Sequence, residues 1–545
     1  MSIGASVVFP NPPASPQGVT SPAGSVRGEG SARFELVVLG LFATFVTVLS
    51  ALHEPWNGET QSWRLAIDSN GIVELFRNAR YEGHPLLFHA LLQLVGHLSR
   101  SWWAAAALHV VIACAAVFVI LRYAPFSRLE KVLVVAGYFP AYEYSVLVRE
   151  YGLGMLLAFA ACAAWTAPRR RPALAILFLI LLANTSVLGF LIALTAAGTF
   201  ACEWLSVEVR DGRLRGRTMA IAAGCLLLAA VTVWIVVRQI LPPSDAAWKG
   251  DGSVGGGASL WKIGWGLTIP LRALVPLAKV GEGTVHWNRW LLEPTTRIWL
   301  LADMAASLAL IAAGCLIVVR RWSGLLFLLV SIVGLSLFFV LFVEGSARHY
   351  GHLVLAWIMA VWLSRSGPAT SWPDALKPVL DRATRWAPRL LAISLIPMVL
   401  ATAEFATADA EGTFYDAKHV ADVLRERGLS QVPIIGIARS DAQAVGALLD
   451  RPVVFPDGTR GTFVVWGNAE TANPPLAQIQ ATLDTELARA CQVVVIGVAE
   501  HSFPEELLPT LRLIYQTPRR SMSRDHFRVF VKSAPASARC PAGPA

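Results

Sequence analysis

The stretch His53-Glu-Pro-Trp-Asn-Gly-Glu-Thr-Gln-Ser-Trp63 directly follows the first long apolar run of the chain, and Tyr81-Glu-Gly-His-Pro85 follows in the same polar segment. Carboxylates, histidines and tryptophans stand here where a membrane protein ordinarily has a plain linker. Tryptophan favours the boundary between membrane and water, and carboxylates just outside the hydrocarbon suit a site that acts on a lipid headgroup. This segment therefore predicts a site at a membrane surface.

The composition of the whole chain agrees with a membrane setting. Of 545 residues, 55% are hydrophobic and 15% are charged, whereas soluble domains have roughly 25% charged residues. The mean hydropathy is +0.54. We therefore expect a polytopic α-helical membrane protein. Its net charge of +9 is typical of arginines in cytoplasmic loops and does not indicate a nucleic-acid partner.

Apolar runs of spanning length set the predicted topology. The first is 34–52, and the others are 101–121, 131–148, 151–167, 173–205, 217–240, 297–319, 323–343, 350–365 and 389–404. The run 173–205 is long enough for two helices and divides at Asn184-Thr185-Ser186, which gives about eleven spanning helices. The first run lacks a small-residue cleavage site after it and is predicted to be retained.

The short run 84–99 is ambiguous, and the arginine clusters decide its placement. If it lies along the interface, the clusters at 169–171, 210–217, 320–321 and 382–389 all fall on the cytoplasmic side, as the positive-inside tendency prefers. We therefore expect an amphipathic interfacial helix here. Its polar members are His84, His89, Gln93 and His97.

This topology divides the chain into three parts. Residues 1–33 are rich in Pro, Gly and Ser and are predicted to be a disordered cytoplasmic tail. Residues 34–404 form the transmembrane domain, with external loops 53–100 and 241–296. The glycine-rich stretch 250–257 in the second loop is either a lid or a plain connector. Residues 405–545 are predicted to be a small extracytoplasmic α/β domain.

The predicted C-terminal domain rests on one amphipathic helix and several short apolar runs. The helix is expected at 416–428, and the strands at 432–438, 452–455, 462–466, 491–498 and 526–532. Cys491 and Cys540 would form a disulfide if this domain is extracytoplasmic. No cysteine or histidine spacing in the chain suggests a metal site.

Polar residues unusual for linkers fall in three turns that this topology places on one side. The first loop contributes His53, Glu54, Glu59, Gln61, Tyr81, Glu82 and His84. The other two turns contribute Tyr142, Glu143, Tyr144, Arg149, Glu150 and Tyr151, and then Glu344, Arg348, His349, Tyr350 and His352. These side chains are expected to converge on one cavity. The alternative is that Arg149 and Arg348 extend to the interface and that Trp56 and Trp63 are interfacial anchors.

A family resemblance rests on the order of these motifs. The first-loop pattern, Tyr144-Ser-x-x-x-Arg149-x-Tyr151, Asn184-Thr-Ser-Val187 and Arg348-His349-x-Gly351 resemble landmarks of GT-C-fold glycosyltransferases. The resemblance covers about residues 34–365. It is closest to bacterial membrane proteins grouped with the protein O-mannosyltransferases and the lipid A aminoarabinose transferases.

The resemblance implies an integral-membrane glycosyltransferase of the bacterial inner membrane. A polyprenyl-phosphate sugar would be the donor, and a glycan, lipid or protein of the cell envelope would be the acceptor on the extracytoplasmic face. Transfer would invert the anomeric carbon with a carboxylate as general base. The donor has a single phosphate and demands neither metal nor other cofactor, because cationic side chains stabilise the leaving group.

The implied roles fall on three sets of residues. The candidates for the base are Glu59, Glu54 and Glu150, and those for binding the donor phosphate are Arg149, Arg348 and His349. The substrate-binding candidates are His53, Gln61, Tyr81, His84, Tyr151 and Tyr350.

One departure from the family pattern concerns the base. The family's first loop usually reads Asp-Glu, with the Asp as base, and here Gly58 takes the place of the Asp. Either Glu59 or Glu54 has taken over, or Glu150 supplies the carboxylate, or transfer is lost. In the last case the protein is a non-catalytic scaffold or subunit of an envelope polysaccharide assembly. A transporter is disfavoured, because the polar clusters lie at helix ends rather than near the midplane.

Overall fold

The computed structural model describes residues 29–212, 216–246, 259–281, 284–411, 414–437, 439–467, 474–498, 505–517, 521–523 and 525–535. The predicted tail up to residue 28, the glycine-rich stretch 250–257 and Cys540 lie outside the described residues. The first helix begins at Glu29, so the last residues assigned to the tail by sequence are helical.

Seven of the helices in the described ranges are long and apolar enough to cross a membrane. They are α1 (Glu29–Leu52), α5 (Trp102–Tyr123), α9 (Val187–Arg210), α10 (Gly216–Ile240), α13 (Arg297–Val318), α14 (Trp322–Leu341) and α16 (Lys377–Ala410). Each coincides with one of the predicted spanning segments. A polytopic helical membrane protein is therefore confirmed.

The other four predicted segments are also largely helical but are shorter or more polar. They contain α6 (Arg128–Val135) with a π-helical turn (Phe139–Glu143), α7 (Glu150–Thr166), α8 (Pro172–Ala183) and α15 (Ala347–Arg365). The twelve residues of α8 extend only about 18 Å, less than the roughly 30 Å of a hydrocarbon core. Helices α7 and α15 are buried along most of their length, because other helices surround them.

The helices have two chemically different ends. At one end, Arg321 forms an ion pair with Glu203 at 2.7 Å, and Arg365 with Glu130 at 2.8 Å. We call this the arginine-rich end. Helix α8 begins at this end and α9 ends at it. The run 173–205 therefore divides into two helices at Asn184-Thr185-Ser186, as predicted. We call the opposite end, which carries the turn between α8 and α9, the loop end.

The first loop folds into three short helices at the loop end: α2 (Asn57–Asp68), α3 (Gly71–Ala79) and α4 (Leu87–Gly96). As predicted, the segment 84–99 does not form a long apolar helix. The expected polar face is only partly present, because α4 packs against α2 and α5 and His89 is fully buried. Only His97 among its histidines is largely exposed.

In its described residues, the second loop forms two short helices and a pair of antiparallel strands. Helices α11 (Leu260–Leu267) and α12 (Ile269–Leu274) precede the antiparallel strands β1 (Ala278–Gly281) and β2 (Thr284–Trp290). From β2, the Trp287 indole N–H donates to Glu143 at 3.0 Å. The pair of strands is thereby attached to the turn that precedes α7.

The C-terminal part forms the expected small α/β domain. Its elements are α17 (Ala417–Glu426), β3 (Ile434–Gly436), α18 (Arg439–Leu448), β4 (Val453–Val454), β5 (Arg460–Gly461), α19 (Leu476–Ala490), β6 (Gln492–Val498), β7 (Arg512–Gln516) and β8 (Phe527–Ser533). The strands form one six-stranded sheet in the order β5-β4-β3-β6-β8-β7. Cys491, at the end of α19, is disulfide-bonded.

Two details of the sheet differ from the sequence prediction. Strand β7 was not predicted. The predicted strand 462–466 is instead an irregular segment after β5, because both backbone polar groups of Val464 bind the Gln61 side chain rather than a neighbouring strand.

Candidate active site

Glu59 is fully buried, and its carboxylate accepts three hydrogen bonds. As the third residue of α2, it accepts the backbone N–H of Trp56 at 2.8 Å, which is the half of a capping box that the third residue supplies. The same oxygen accepts from His53 Nε2 at 3.0 Å, and the other oxygen accepts the backbone N–H of Val148. Glu59 therefore joins the start of α2 to the turn before α7.

His53 connects Glu59 to the end of α16. Its Nδ1 lies 2.8 Å from Asp409 Oδ2, which also accepts the Tyr142 hydroxyl at 2.9 Å. Burial alone lowers the pKa of this imidazole, but the carboxylates of Asp409 and Glu59 raise it well above its usual value. His53 is therefore a cation between two buried anions. Asp409 was not recognised from the sequence, because a single Asp at the end of an apolar helix carries no motif.

Glu54 faces the C-terminal domain. It accepts the backbone N–H of Tyr415 at 3.3 Å and lies 2.9 Å from His419 Nδ1. Burial raises its pKa to about 7, while the charge of His419 opposes this shift. Glu54 thus lies at the contact between the first loop and the C-terminal domain.

Gln61 and Tyr81 also make contacts that connect parts of the chain. The Gln61 side chain binds both backbone groups of Val464, at 2.6 and 2.9 Å, and donates to Glu82 at 2.8 Å. The Tyr81 hydroxyl donates to Asp245 at 3.1 Å, at an exposed position. Gln61 thus binds the C-terminal domain, and Tyr81 binds Asp245 of the second loop.

A second group of polar residues lies on the other side of α2, around Arg149. Its guanidinium donates to the carbonyl of Gly58 at 2.8 Å, to Glu150 at 3.0 Å and to His84 Nε2 at 3.2 Å. Glu150 is fully buried at the first position of α7, where the helix dipole favours an anion. Since His84 Nε2 accepts from Arg149, the neutral ring carries its proton on Nδ1, which lies 3.5 Å from Glu150 Oε1.

Arg348, like Arg149, acts electrostatically on His84, but its contacts are aromatic rings rather than a carboxylate. Its guanidinium lies over the rings of Trp56 and Trp287, at 4.9 and 5.5 Å from the ring centroids. No carboxylate is within ion-pair distance of it among the residues the structure describes, and its buried Nε has no hydrogen-bond partner. Burial lowers the pKa of His84, Glu150 raises it, and Arg149 and Arg348 lower it further. The two arginines therefore act on one site.

Aromatic side chains border this site. The buried Tyr151 hydroxyl lies beside the Arg348 guanidinium, and its ring packs against His349 at 5.9 Å. His349 Nδ1 accepts the backbone N–H of Ser346 at 2.9 Å, which orients the imidazole at the start of α15. Tyr350 points elsewhere: its hydroxyl binds the Glu344 carbonyl at 2.7 Å, and its ring packs on Trp290.

Of the predicted site residues, the structure brings together Arg149, Glu150, His84, Tyr151, Arg348 and His349. We call these six residues the arginine site. Glu59 and His53 form a separate buried group with Asp409. Glu54 and Gln61 lie at the contact with the C-terminal domain. In the described parts of the chain, no three His, Cys, Asp or Glu side chains are placed to hold a metal ion.

Comparison with known proteins gives structural matches alone. No protein-family model and no curated protein sequence matches the chain. The crystal structure of ArnT from Cupriavidus metallidurans bound to undecaprenyl phosphate aligns with a TM-score of 0.52 at 11% identity, over 93% of this chain and 99% of that chain. The apo form of the same protein aligns with a TM-score of 0.50 at 10% identity, over 92% and 98% of the two chains.

The alignment includes both the helical domain and the C-terminal domain, since it covers nearly the full length of both chains. It agrees with the fold expected from the first-loop motif. The protein therefore has the GT-C fold.

Proposed function

We propose that this protein is an inverting membrane glycosyltransferase that moves a sugar from a polyprenyl-phosphate donor to a cell-envelope acceptor. The observation that carries the proposal is Arg348, a half-buried cation held over two indole rings without a carboxylate partner in the described residues. A cation in such a place is costly unless an anion neutralises it. The donor phosphate would be that anion.

The electrostatics of the arginine site suit a departing phosphate. The charge of Arg149 is offset by Glu150 at 3.0 Å. Arg348 has no carboxylate within ion-pair distance in the described residues and acts on the buried Glu143 only from beyond that distance. When the bond between the anomeric carbon and the phosphate oxygen breaks, the phosphate gains negative charge. Cations already in place stabilise that charge without reorganisation. Arg348 is therefore proposed to bind the leaving phosphate, with Arg149 and His349 beside it.

The same arrangement favours one of the three candidate bases. The oxygens of Glu59 are occupied by donors from His53, Trp56 and Val148, and Glu54 faces the C-terminal domain. Glu150 belongs to the arginine site, and its oxygens accept from the Arg149 side chain, a donor that a bound phosphate would also attract. We assign to it the proton of the acceptor hydroxyl, whose oxygen attacks the anomeric carbon while the polyprenyl phosphate leaves with the bonding electron pair.

The two ends of the helices support a proposed orientation in the membrane. Arg170, Arg320, Arg321 and Arg365 gather at the arginine-rich end, as the ion pairs and hydrogen bonds of this end show. Positive charge favours the cytoplasmic side. The arginine site and the C-terminal domain would then face the extracytoplasmic side of a bacterial inner membrane. Undecaprenyl phosphate in the similar ArnT structure supports a polyprenyl-phosphate lipid as partner.

The test is donor turnover by the protein in lipid nanodiscs, with radiolabelled polyprenyl-phosphate sugars and an envelope extract as acceptor. We expect turnover by the wild type and a loss of roughly 10²–10³-fold in Arg348→Gln, the usual effect of removing one stabilising group from a developing charge. Glu150→Gln should lose turnover as well.

The matched control is Arg289→Gln on β2. Arg289 pairs with Glu293 at 3.0 Å on the surface, an interaction of little energetic value, so turnover should be unchanged. Equal turnover by Arg348→Gln and wild type would overturn the proposal.

A second candidate function is favoured by one observation at Gly58. The Trp56 indole occupies the space that a side chain at position 58 would need, so the position of the family's usual base is closed. A non-catalytic subunit of an envelope polysaccharide assembly would bind polyprenyl phosphate at Arg348 without turnover. Binding of labelled polyprenyl phosphate that is lost in Arg348→Gln, together with no transfer from any donor, would favour this function.

A further inference from the structure

A cleft of about 370 Å³ lies between the helical domain and the C-terminal domain, away from the arginine site. One wall comes from α2 and the start of α5, and the other from α17 and the end of α18. Its size is within the range of roughly 300–1,000 Å³ for small-molecule sites, which occur preferentially at domain contacts.

The cleft is separated from the arginine site by α2. Thr60 and Trp63 face the cleft, whereas the carbonyl of Gly58, on another side of the helix, accepts from Arg149. His53 lines the cleft and connects through Nε2 to Glu59. A ligand in the cleft would therefore lie beside the reaction centre rather than in it.

The lining residues combine aromatic rings with charged hydrogen-bonding groups. Trp63, Trp102 and Trp103 supply the rings, and flat rings with nearby polar groups suit a partly apolar and partly polar ligand such as a sugar. Arg425 pairs with Asp422 at 2.6 Å, and this pair offers both donors and acceptors to hydroxyl groups.

The charges of the lining residues indicate the kind of sugar. Arg100 pairs with Asp68 at 2.5 Å, and Asp450 pairs with Arg64. Lys418 is exposed and has no carboxylate within ion-pair distance in the described residues. Since it is the lining lysine without a compensating anion, an acidic group on the ligand would complete the cleft.

We infer that this cleft binds an acidic glycan, the part of the acceptor that extends away from the reacting hydroxyl. The inference rests on the proposed transferase function and names the class of its acceptor. Binding of a remote part of a substrate supplies energy that orients the reacting part. The arrangement also gives the C-terminal domain a role, since α17 contributes Lys418, Asp422 and Arg425 to one wall.

The test measures binding without any donor, so that its result does not depend on turnover. Nanodiscs of neutral lipid carrying the full chain are titrated with a fluorescent hexamer of galacturonic acid and, separately, of mannose, and anisotropy is recorded. We expect the acidic hexamer to bind more tightly. Trp103→Ala and Lys418→Ala should each weaken its binding about tenfold, a free-energy change near 1.4 kcal/mol.

Matched controls use exposed residues of the same type far from the cleft. They are Trp234→Ala on α10 and Lys377→Ala at the start of α16, which should bind the hexamer as the wild type does. Trp103 is 54% exposed, so its removal is not expected to impair folding, and unchanged gel-filtration elution checks this.

Three results would overturn the inference. The first is no binding of the acidic hexamer by the wild type. The second is binding by Trp103→Ala and Lys418→Ala as tight as that by the wild type. The third is displacement of the hexamer by anionic lipid in the nanodisc. The last would assign the cleft to a lipid headgroup. A failure of the transferase proposal is recognised separately, because Arg348→Gln would then turn over the donor as fast as the wild type does.

Discussion

The Trp56 indole lies against Gly58 so closely that a Cβ atom at position 58 would come within 2.2 Å of its Cζ3. The same indole carries the Arg348 guanidinium, 4.9 Å from the ring centroid, and packs edge-on against Trp287 at 5.0 Å. Gly58 is therefore required for space, because a larger residue would displace the ring that supports Arg348.

The first prediction concerns this contact. Gly58→Ala should lower stability by about 1–3 kcal/mol, the usual cost of overpacking, since the indole is held between Trp287 and Arg348 and has little freedom to move. Thermal unfolding in detergent measures the effect. Gly224→Ala is the control, because no atom lies within 4 Å of a Cβ there and alanine favours a helix.

The second prediction separates a structural from a catalytic role for Glu59. Removing the carboxylate in Glu59→Ala leaves the His53 cation and two backbone N–H groups without their acceptor, so we expect a loss of about 3–5 kcal/mol, as for a broken buried ion pair. Glu150→Gln should lose turnover while unfolding nearer to the wild-type temperature. A fully stable Glu59→Ala protein without turnover would instead identify Glu59 as the base.

The third prediction tests the contact between α2 and the C-terminal domain. Gln61→Ala removes both hydrogen bonds to the backbone of Val464, a loss of about 1–3 kcal/mol if the buried groups stay unpaired. Hydrogen exchange of the Val464 amide should therefore become roughly tenfold faster or more. Gln93→Ala is the control, because Gln93 binds the carbonyls of Ala66 and Ser69 within the first loop. Unchanged exchange in Gln61→Ala would contradict the contact.

The fourth prediction is a pH dependence from Glu54. Its pKa is raised by burial from 4.5 to about 7, so between these values the folded protein binds more protons than the unfolded chain. Stability from this group therefore declines as the pH rises from about 4.5 to 7. Glu54→Gln, which stays neutral, should lose that decline. The measurement is the unfolding temperature of both proteins from pH 4.5 to 8, and parallel curves would refute the assignment.

The sequence by itself determined the class of the fold. Long apolar runs with arginine clusters between them establish a helical membrane bundle, because hydrocarbon requires each backbone to satisfy its own hydrogen bonds. The break at Asn184-Thr185-Ser186 and most of the C-terminal strands also followed from local pattern. The first-loop motif, together with the order of the later motifs, indicated the GT-C fold.

The roles of individual polar residues depended on the tertiary structure. In the sequence, Glu54 and Glu59 are carboxylates of the first loop and Glu150 is a carboxylate of the turn before α7. Glu54 meets His419 of the C-terminal domain, and Glu59 is linked through His53 to Asp409 of α16. Glu150, in contrast, has its partner Arg149 beside it in the sequence. No local pattern therefore distinguishes an interdomain contact, a buried ion group and a phosphate site. The same holds for Gly58, because only the folded structure shows that a side chain there would clash with the Trp56 ring. The spacing of apolar residues in the sequence indicates which face of an element is apolar. The partner of a buried charge is decided only when the chain has packed.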